Sequence, residues 1–204
     1  MSILLIRHGE TALNVARTVQ PPDTPLSPRG LAQAEALARR MATLGLAAIV
    51  SSDLPRAWRT AEALAVTTGL RVEPSALLHE RNFGDLRGRP YDSMGFDPLH
   101  MVDAPPNGES AEAFRQRVTD AFAMLVRLRA TLAGPLAAVT HGLVIRELLL
   151  GHAALPTGMT VPARIGNTSV TVFAATQPHE VALLDCTRHL GAALGDNEQS
   201  LSGG

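Results

Sequence analysis

The chain is short of cysteine, of net charge and of long apolar runs, and each shortage removes a class of protein. A single cysteine, Cys186, cannot form an intramolecular disulfide, so the fold is not a stapled secreted scaffold and a reducing cytoplasm is the expected setting. The opening run Ile3-Leu4-Leu5-Ile6 stops at Arg7, too short for the apolar core of a signal peptide, so no targeting segment is expected. Nowhere does the chain hold the ~18 uninterrupted apolar residues of a membrane span, and no membrane partner is expected. A formal net charge of -1 lacks the basic excess of a dedicated nucleic-acid binder, although it leaves room for a small local pocket of positive charge. Internal repeats and domain linkers are also missing.

What is present is enough for one well-packed domain. The 204 residues are 46% hydrophobic, a size and composition that suit a single α/β unit over residues 1–194, with 195–204 as a polar, glycine-rich, flexible tail. Ile3 to Ile6, Ala47 to Val50 and Leu136 to Val139 read as buried parallel strands, being short, apolar and followed by helical patterns. Ser169 to Phe173 and Val181 to Leu184 read as two more, with a turn at Gln177-Pro178. Between them, Ser27-Pro28 opens a helix with Leu31, Ala34, Ala38, Met41 and Leu44 at helical spacing. Leu54-Pro55 opens a second with Trp58, Ala61 and Ala65 inward. Ser110 opens a third with Phe114, Val118, Phe122, Leu125 and Leu132 on one face, and a fourth spans about Leu143 to Leu150. This alternation predicts a three-layer α/β/α sandwich around a mostly parallel sheet. From Gly84 to Gly108 the periodicity fails at Gly88, Pro90, Gly95, Pro98, Pro105 and Pro106, which reads as a long functional loop or lid.

In such a sheet, ligands bind beyond the carboxyl ends of the strands. The first strand runs into Arg7-His8-Gly9-Glu10 and the strand at 136–139 runs into Thr140-His141-Gly142, so two histidines reach one edge. Ser51-Ser52-Asp53 ends another strand, with Arg56 in the first turn of the helix after it. Two imidazoles and two guanidinium groups aimed at one volume suit a phosphate dianion, whose oxygens match paired guanidinium donors. Backbone N–H groups after His8 add partial positive charge. Neighbouring arginines disfavour imidazolium, leaving His8 neutral and nucleophilic. Glu80, where an apolar run gives way to the irregular loop, is placed to protonate the leaving oxygen.

Taken together these segments resemble the histidine phosphatase superfamily, with its phosphoglycerate mutase-like fold, from the first residue to about Phe173. The resemblance rests on Leu5-Ile6-Arg7-His8-Gly9-Glu10-Thr11 with Asn14 and Gln20, then Pro25-Leu26-Ser27 with Gly30. Ser51-Ser52-Asp53-Leu54 with Arg56-Ala57 and Thr60-Ala61, the Glu80 segment, Gly108-Glu109-Ser110 and Thr140-His141-Gly142 complete it. It implies that His8 carries a transient phosphoryl group, that Arg7, Arg56 and His141 hold its oxygens, and that Glu80 donates the proton. Asn14, Gln20 and Gly142 are expected among the substrate-binding residues, and no metal or other cofactor is expected. Ala12-Leu13, Pro21-Pro22 and Leu143 depart from the common pattern and reshape the pocket wall, so a relative's substrate does not transfer.

A phosphatase acting on a small phosphorylated metabolite is the leading expectation, because the stretch from Glu80 to His141 is shorter than in the mutase branch, which carries an insertion there. Against it, Glu80-Arg81-Asn82-Phe83-Gly84-Asp85-Leu86-Arg87-Gly88 reads more like the mutase version. Phosphoglycerate mutase-type transfer is therefore the alternative, and a non-catalytic phospho-ligand-binding domain a third. A dinucleotide-binding module lacks its glycine-rich turn. His79, His100, His152, His179 and His189 read as solvent-facing or locally bonded, with no zinc spacing. Arg59 reads as a surface partner of Glu62, Trp58 as core, and Cys186 as packing. Arg87 and Arg89 either sit solvated or read a second acidic group on the substrate. Nothing in the sequence fixes the oligomeric state.

Overall fold

The structure, a computed structural model, describes residues 1–195. The expected tail therefore lies, from residue 196 onward, outside the described residues. Six strands form one mixed, mostly parallel sheet: β1 (Ser2–Arg7), β2 (Ala48–Ser51), β3 (Val72–Pro74), β4 (Leu136–Thr140), β5 (Val170–Ala174) and β6 (Val181–Cys186). Their order is β3-β2-β4-β1-β5-β6, with β1, β2, β3 and β4 parallel and β5 and β6 antiparallel additions. The helices are α1 (Ala12–Val15), α2 (Pro28–Met41), α3 (Pro55–Thr68), α4 (Ala111–Ala130), α5 (Gly142–His152) and α6 (Gly191–Leu194).

Side-chain alternation along the strands divides the core in two. Ile3 and Leu5 of β1 with Leu136 and Ala138 of β4 face α4 and α5, where Phe114, Val118, Leu125, Ile145 and Leu148 complete one cluster. Leu4 and Ile6 with Ala137 and Val139 face α2 and α3, against Leu37, Met41, Ala57, Ala61 and Leu64. Helices thus cover both faces of the sheet, as the strand–helix alternation predicts. Ser27 caps α2 by accepting from the Gly30 N–H at 3.0 Å, and Ser110 caps α4 by accepting from the Ala113 N–H at 3.1 Å.

Several local readings need correction. The buried stripe of α2 is Ala34, Leu37, Ala38 and Met41, an i, i+3, i+4, i+7 set, while Leu31 and Leu44 are largely exposed. On α3 the inward positions are Ala57, Ala61 and Leu64, so Trp58 is not core. Its indole N–H donates to Glu62 at 3.1 Å, and it lines an open surface groove with Leu31 and Arg59. Periodicity alone could not separate the two stripes, because both carry apolar residues. Strand β3 escaped notice because it is only three residues long, exposed at two of them and ends in proline, all features of an edge strand.

The segment from Gly84 to Gly108 is not structureless. Short 3₁₀ turns occupy Gly84–Leu86, Tyr91–Ser93 and Pro98–His100, and Phe83, Leu86, Tyr91 and Met94 pack with Val19 into a third small core. Hydrogen bonds Val19 N–H to Arg89 O (3.1 Å) and Gly88 N–H to Val19 O (2.7 Å) tie it to the chain after α1. Gly84, at φ 51°, can hold this turn only without a side chain, since a Cβ would run into the Pro106 carbonyl. No described helix is long and apolar enough to cross a membrane.

Candidate active site

Parallel pairing sets the geometry of the site. Arg7 lies opposite Thr140 in the β1–β4 register, and the His8 N–H continues the ladder to the Thr140 carbonyl at 3.0 Å. His8 and His141 leave neighbouring strands side by side, with ring centroids 5.2 Å apart. Arg56 projects from the first turn of α3, after β2. All are sealed from bulk water: Arg7, His8 and Arg56 are 1% exposed, His141 0% and Glu80 6%.

Each ring has a defined partner. His8 Nδ1 lies 2.7 Å from the Gly9 carbonyl, which can only accept, so the proton sits on Nδ1 and Nε2 keeps its lone pair. His141 Nε2 lies 2.8 Å from Ser52 Oγ. That hydroxyl accepts from the Leu54 N–H at 3.3 Å and keeps its own proton to donate to Nε2, an arrangement in which the His141 proton resides on Nδ1. His141 Nδ1 is buried with no protein partner, a donor available to a ligand oxygen.

The electrostatics follow from burial. Burial first, then the guanidinium groups of Arg7 and Arg56, hold His8 well below the ordinary imidazole range, so it is neutral. His141 is lowered in the same way, by burial and then by Arg56 and His8. Arg56 is itself pulled down to about 10, chiefly by burial, and still carries its proton at neutral pH. Glu80 moves the other way: burial raises it, and bonds from the Leu143 and Arg81 N–H groups and the charges of Arg56 and Arg7 oppose but do not cancel the rise. Chemically, a neutral imidazole can serve as a nucleophile, and a carboxyl biased toward its protonated form can serve as an acid.

A shell of polar groups fixes these side chains. Arg7 donates to the Ile165 carbonyl at 2.5 Å. Thr60 Oγ1 accepts from the Gly9 N–H at 3.0 Å, and Gln33 Oε1 accepts from the Glu10 N–H at 2.9 Å. Asn167 Nδ2 donates to the His8 carbonyl at 3.1 Å. The Gly9–Glu10 turn and the start of α2 touch so closely that a Cβ on Gly9 would sit 2.5 Å from the Gly30 carbonyl oxygen and one on Gly30 would run into the Glu10 carbonyl, which accounts for glycine at both positions. Arg117 pairs with Glu109 at 2.8 Å and donates to the carbonyls of Leu77, His79 and Glu80, while Glu109 also accepts from the Asn82 N–H. The turn bearing Glu80 is held by this ion pair.

The other sequence candidates each have a defined place in the structure. Asn14 Oδ1 accepts from the Thr11 N–H in a capping box at the start of α1, and Gln20 Oε1 accepts from Thr11 Oγ1 at 2.8 Å. Gly142 is the first residue of α5, directly after His141. His79 bonds Asp53, His100 bonds Asp97, His152 stacks on Phe122, His179 meets the Phe122 edge, and His189 contacts Arg40 and Thr168. Arg59 does pair with Glu62, at 2.9 Å. Cys186 is only partly buried and accepts from Arg40 at 3.4 Å. Among the described residues no cluster of three or more His, Cys, Asp or Glu side chains is arranged to hold a metal ion. The roles of Ser52, Asn167, Gln33 and Arg117 were not legible in the sequence, since each acts across a separation that only folding closes.

A family model described as the histidine phosphatase superfamily, branch 1, matches residues 3–184. The chain belongs to the histidine phosphatase superfamily. It is 34% identical over 181 residues to a Yersinia pestis protein named "Probable phosphoglycerate mutase GpmB", covering 84% of this chain and 83% of that one. It is similar to the structure of the mycobacterial glucosyl-3-phosphoglycerate phosphatase Rv2419c with VO3, at TM-score 0.72 and 31% identity, covering 85% and 90% of the two chains. A mutant phosphoserine phosphatase from Entamoeba histolytica, solved with phosphoserine, shares the fold at TM-score 0.76, with 24% identity over 93% and 98% of the chains. As a histidine phosphatase-superfamily member with phosphatase and mutase relatives, the protein is an enzyme acting on phosphate esters.

Proposed function

We propose that the protein is a phosphatase that hydrolyses a small phosphate monoester through a phosphohistidine on His8. The observation that carries this reading is the pairing of a neutral His8, its tautomer fixed by the Gly9 carbonyl, with a Glu80 carboxyl raised by burial. Arg7, Arg56 and the His141 Nδ1–H take the phosphoryl oxygens; the N–H groups of Gly9, Glu10 and Thr11, expected from the sequence to join them, are instead taken by Thr60, Gln33 and Asn14. His8 Nε2 attacks phosphorus, the P–O ester bond breaks, and Glu80 transfers its proton to the departing alcohol oxygen. In the second step Glu80, now a carboxylate, takes a proton from water as that water attacks phosphorus. The P–N bond breaks, and His8 and protonated Glu80 are restored. None of these steps calls on a metal, and a soluble metabolite in the cytoplasm is the substrate expected.

Hydrolysis is favoured over mutase chemistry because the segment between Glu80 and α4 is short and committed to its own small core. A mutase must exclude water while its substrate reorients, which needs a more extensive cover. The mutase-named relative keeps the second reading in view. The deciding experiment is turnover of an aryl phosphate in excess chelator by the wild type and by His8→Ala, with a search for an acid-labile phosphoryl adduct. We expect chelator-insensitive phosphate release by the wild type and loss of both release and adduct in the variant. Undiminished activity in His8→Ala, or extinction by chelator, refutes the proposal. Conversion of 3-phosphoglycerate to 2-phosphoglycerate with a trace of bisphosphoglycerate and no phosphate release, followed by NMR, points to the mutase.

A further inference from the structure

Arg87 and Arg89 are equivalent in the sequence, two cations close together in the same loop, but the fold separates them. Arg89 is exposed, and its carbonyl accepts from the Val19 N–H. Arg87 is half-buried and lines a cavity of about 700 Å³ that lies against Glu80. Pro22, Leu54, Asn82 and the first turn of α4 at Ser110 and Ala113 form other parts of its wall.

The charges around this cavity are already committed, except one. Glu109 is engaged by two hydrogen bonds from Arg117, and Asp85 accepts from Asn107 outside the cavity. Glu80 is biased toward its neutral form by burial. Among the described residues the Arg87 side chain has neither hydrogen bond nor ion pair, and its charge reaches far enough inward to be felt at Arg56. The N-terminus of the 20-residue helix α4 adds partial positive charge to the same wall.

We infer that Arg87 forms a second anion subsite, which selects phosphomonoesters whose alcohol portion carries a carboxylate or a further phosphate. The inference rests on the phosphoryl chemistry proposed above: if Glu80 protonates the ester oxygen, the alcohol portion extends from Glu80 into the cavity that Glu80 borders, where Arg87 waits. A guanidinium fork matches either anion with paired donors, and the half-buried position strengthens the contact relative to open solvent.

Two matched pairs test this: 3-phosphoglycerate against glycerol 3-phosphate, and fructose 1,6-bisphosphate against fructose 6-phosphate. The ratio of kcat/KM within each pair is the readout, because a general loss of fold or catalysis cancels from it. The wild type should favour at least one doubly anionic ester, the pair revealing whether carboxylate or phosphate is read. Arg87→Gln should reduce that preference about tenfold or more, through KM, with partial recovery in Arg87→Lys, and Arg89→Gln should leave it alone. Binding of the same four esters to His8→Ala, with and without Arg87→Gln, is followed by calorimetry, so the subsite is tested even without turnover. Absence of any doubly anionic preference in the wild type, or a preference that survives Arg87→Gln in rate and in binding, overturns the subsite. Absent turnover with an intact Arg87-dependent binding preference removes the phosphatase reading and leaves the subsite standing.

Discussion

A buried carboxyl and a buried imidazole are both shifted toward neutrality, and the two shifts set opposite limbs of a pH profile. Glu80 is raised above the ordinary carboxyl value, so its proton is present below its pKa in the protein and lost as pH climbs through it. His8 is lowered well below 6.5, so its neutral form, the proposed nucleophile, is lost only in more acid solution than an ordinary imidazole would require. We expect a kcat/KM bell whose alkaline limb belongs to Glu80 and disappears in Glu80→Gln. That variant should lose about 10²- to 10⁴-fold in kcat on an alkyl phosphate. On a nitrophenyl phosphate, whose leaving oxygen needs little protonation, the loss should be much smaller. Equal losses on both esters would contradict the role of Glu80 as proton donor. The Gly9 carbonyl belongs to the same scale, since it can only accept and so settles which nitrogen of His8 keeps its lone pair, while Ser52 occupies Nε2 of His141 and leaves Nδ1 without a protein partner.

Among the elements, strand ends and helix starts do the positioning. His8 and His141 follow β1 and β4, and α5 begins immediately after His141, delivering the Leu143 N–H to Glu80 at 3.2 Å. Arg117, two turns into α4, reaches back to three carbonyls of the Leu77–Glu80 turn and locks Glu109 beside Asn82. Arg117→Met should cost stability, because it leaves Glu109 and those carbonyls without their charged donor. A merely structural loss would lower the melting temperature alone. If the clamp positions Glu80, kcat should also fall, by about tenfold, and the alkaline limb should move to lower pH as water reaches the loosened carboxyl. Arg117→Lys should rescue little of this, since an ammonium cannot span the carboxylate and the carbonyls with one planar fork.

For the whole molecule, two guanidinium groups are buried at the edge of the sheet, and the Glu80 carboxyl that feels their charge is raised by burial. The proposed phosphatase binds an anion there, and binding that favours the folded state adds stability by mass action. Thermal melts in inorganic phosphate should therefore show a rise in Tm, corresponding to about 2.7 kcal/mol at a hundredfold excess over Kd. Arg56→Gln should abolish most of the rise. A phosphate-independent melting curve for the wild type would argue against an anion site at Arg7 and Arg56. The two-sided core explains why this site stays rigid enough to use: β1 and β4, which carry the histidines, are central strands covered on both faces.

Much of this was legible one residue at a time. Local chemistry determined the buried strands, the Ser27 and Ser110 helix starts, and the His-Gly pairs at two strand ends, because apolar runs, caps and glycine turns act over a few residues. The same signals misplaced Trp58 and put the exposed Leu31 and Leu44 in one series with buried residues, since a helix with two apolar stripes does not declare which one meets the sheet. Only tertiary structure decided that His8 and His141 lie 5.2 Å apart, that Asn167 reaches the His8 carbonyl, and that Arg87 rather than Arg89 enters the cavity beside Glu80. Each of those depends on strand order and on the path of a loop, and both arise from burying surface between residues far apart in the chain, which no local pattern records.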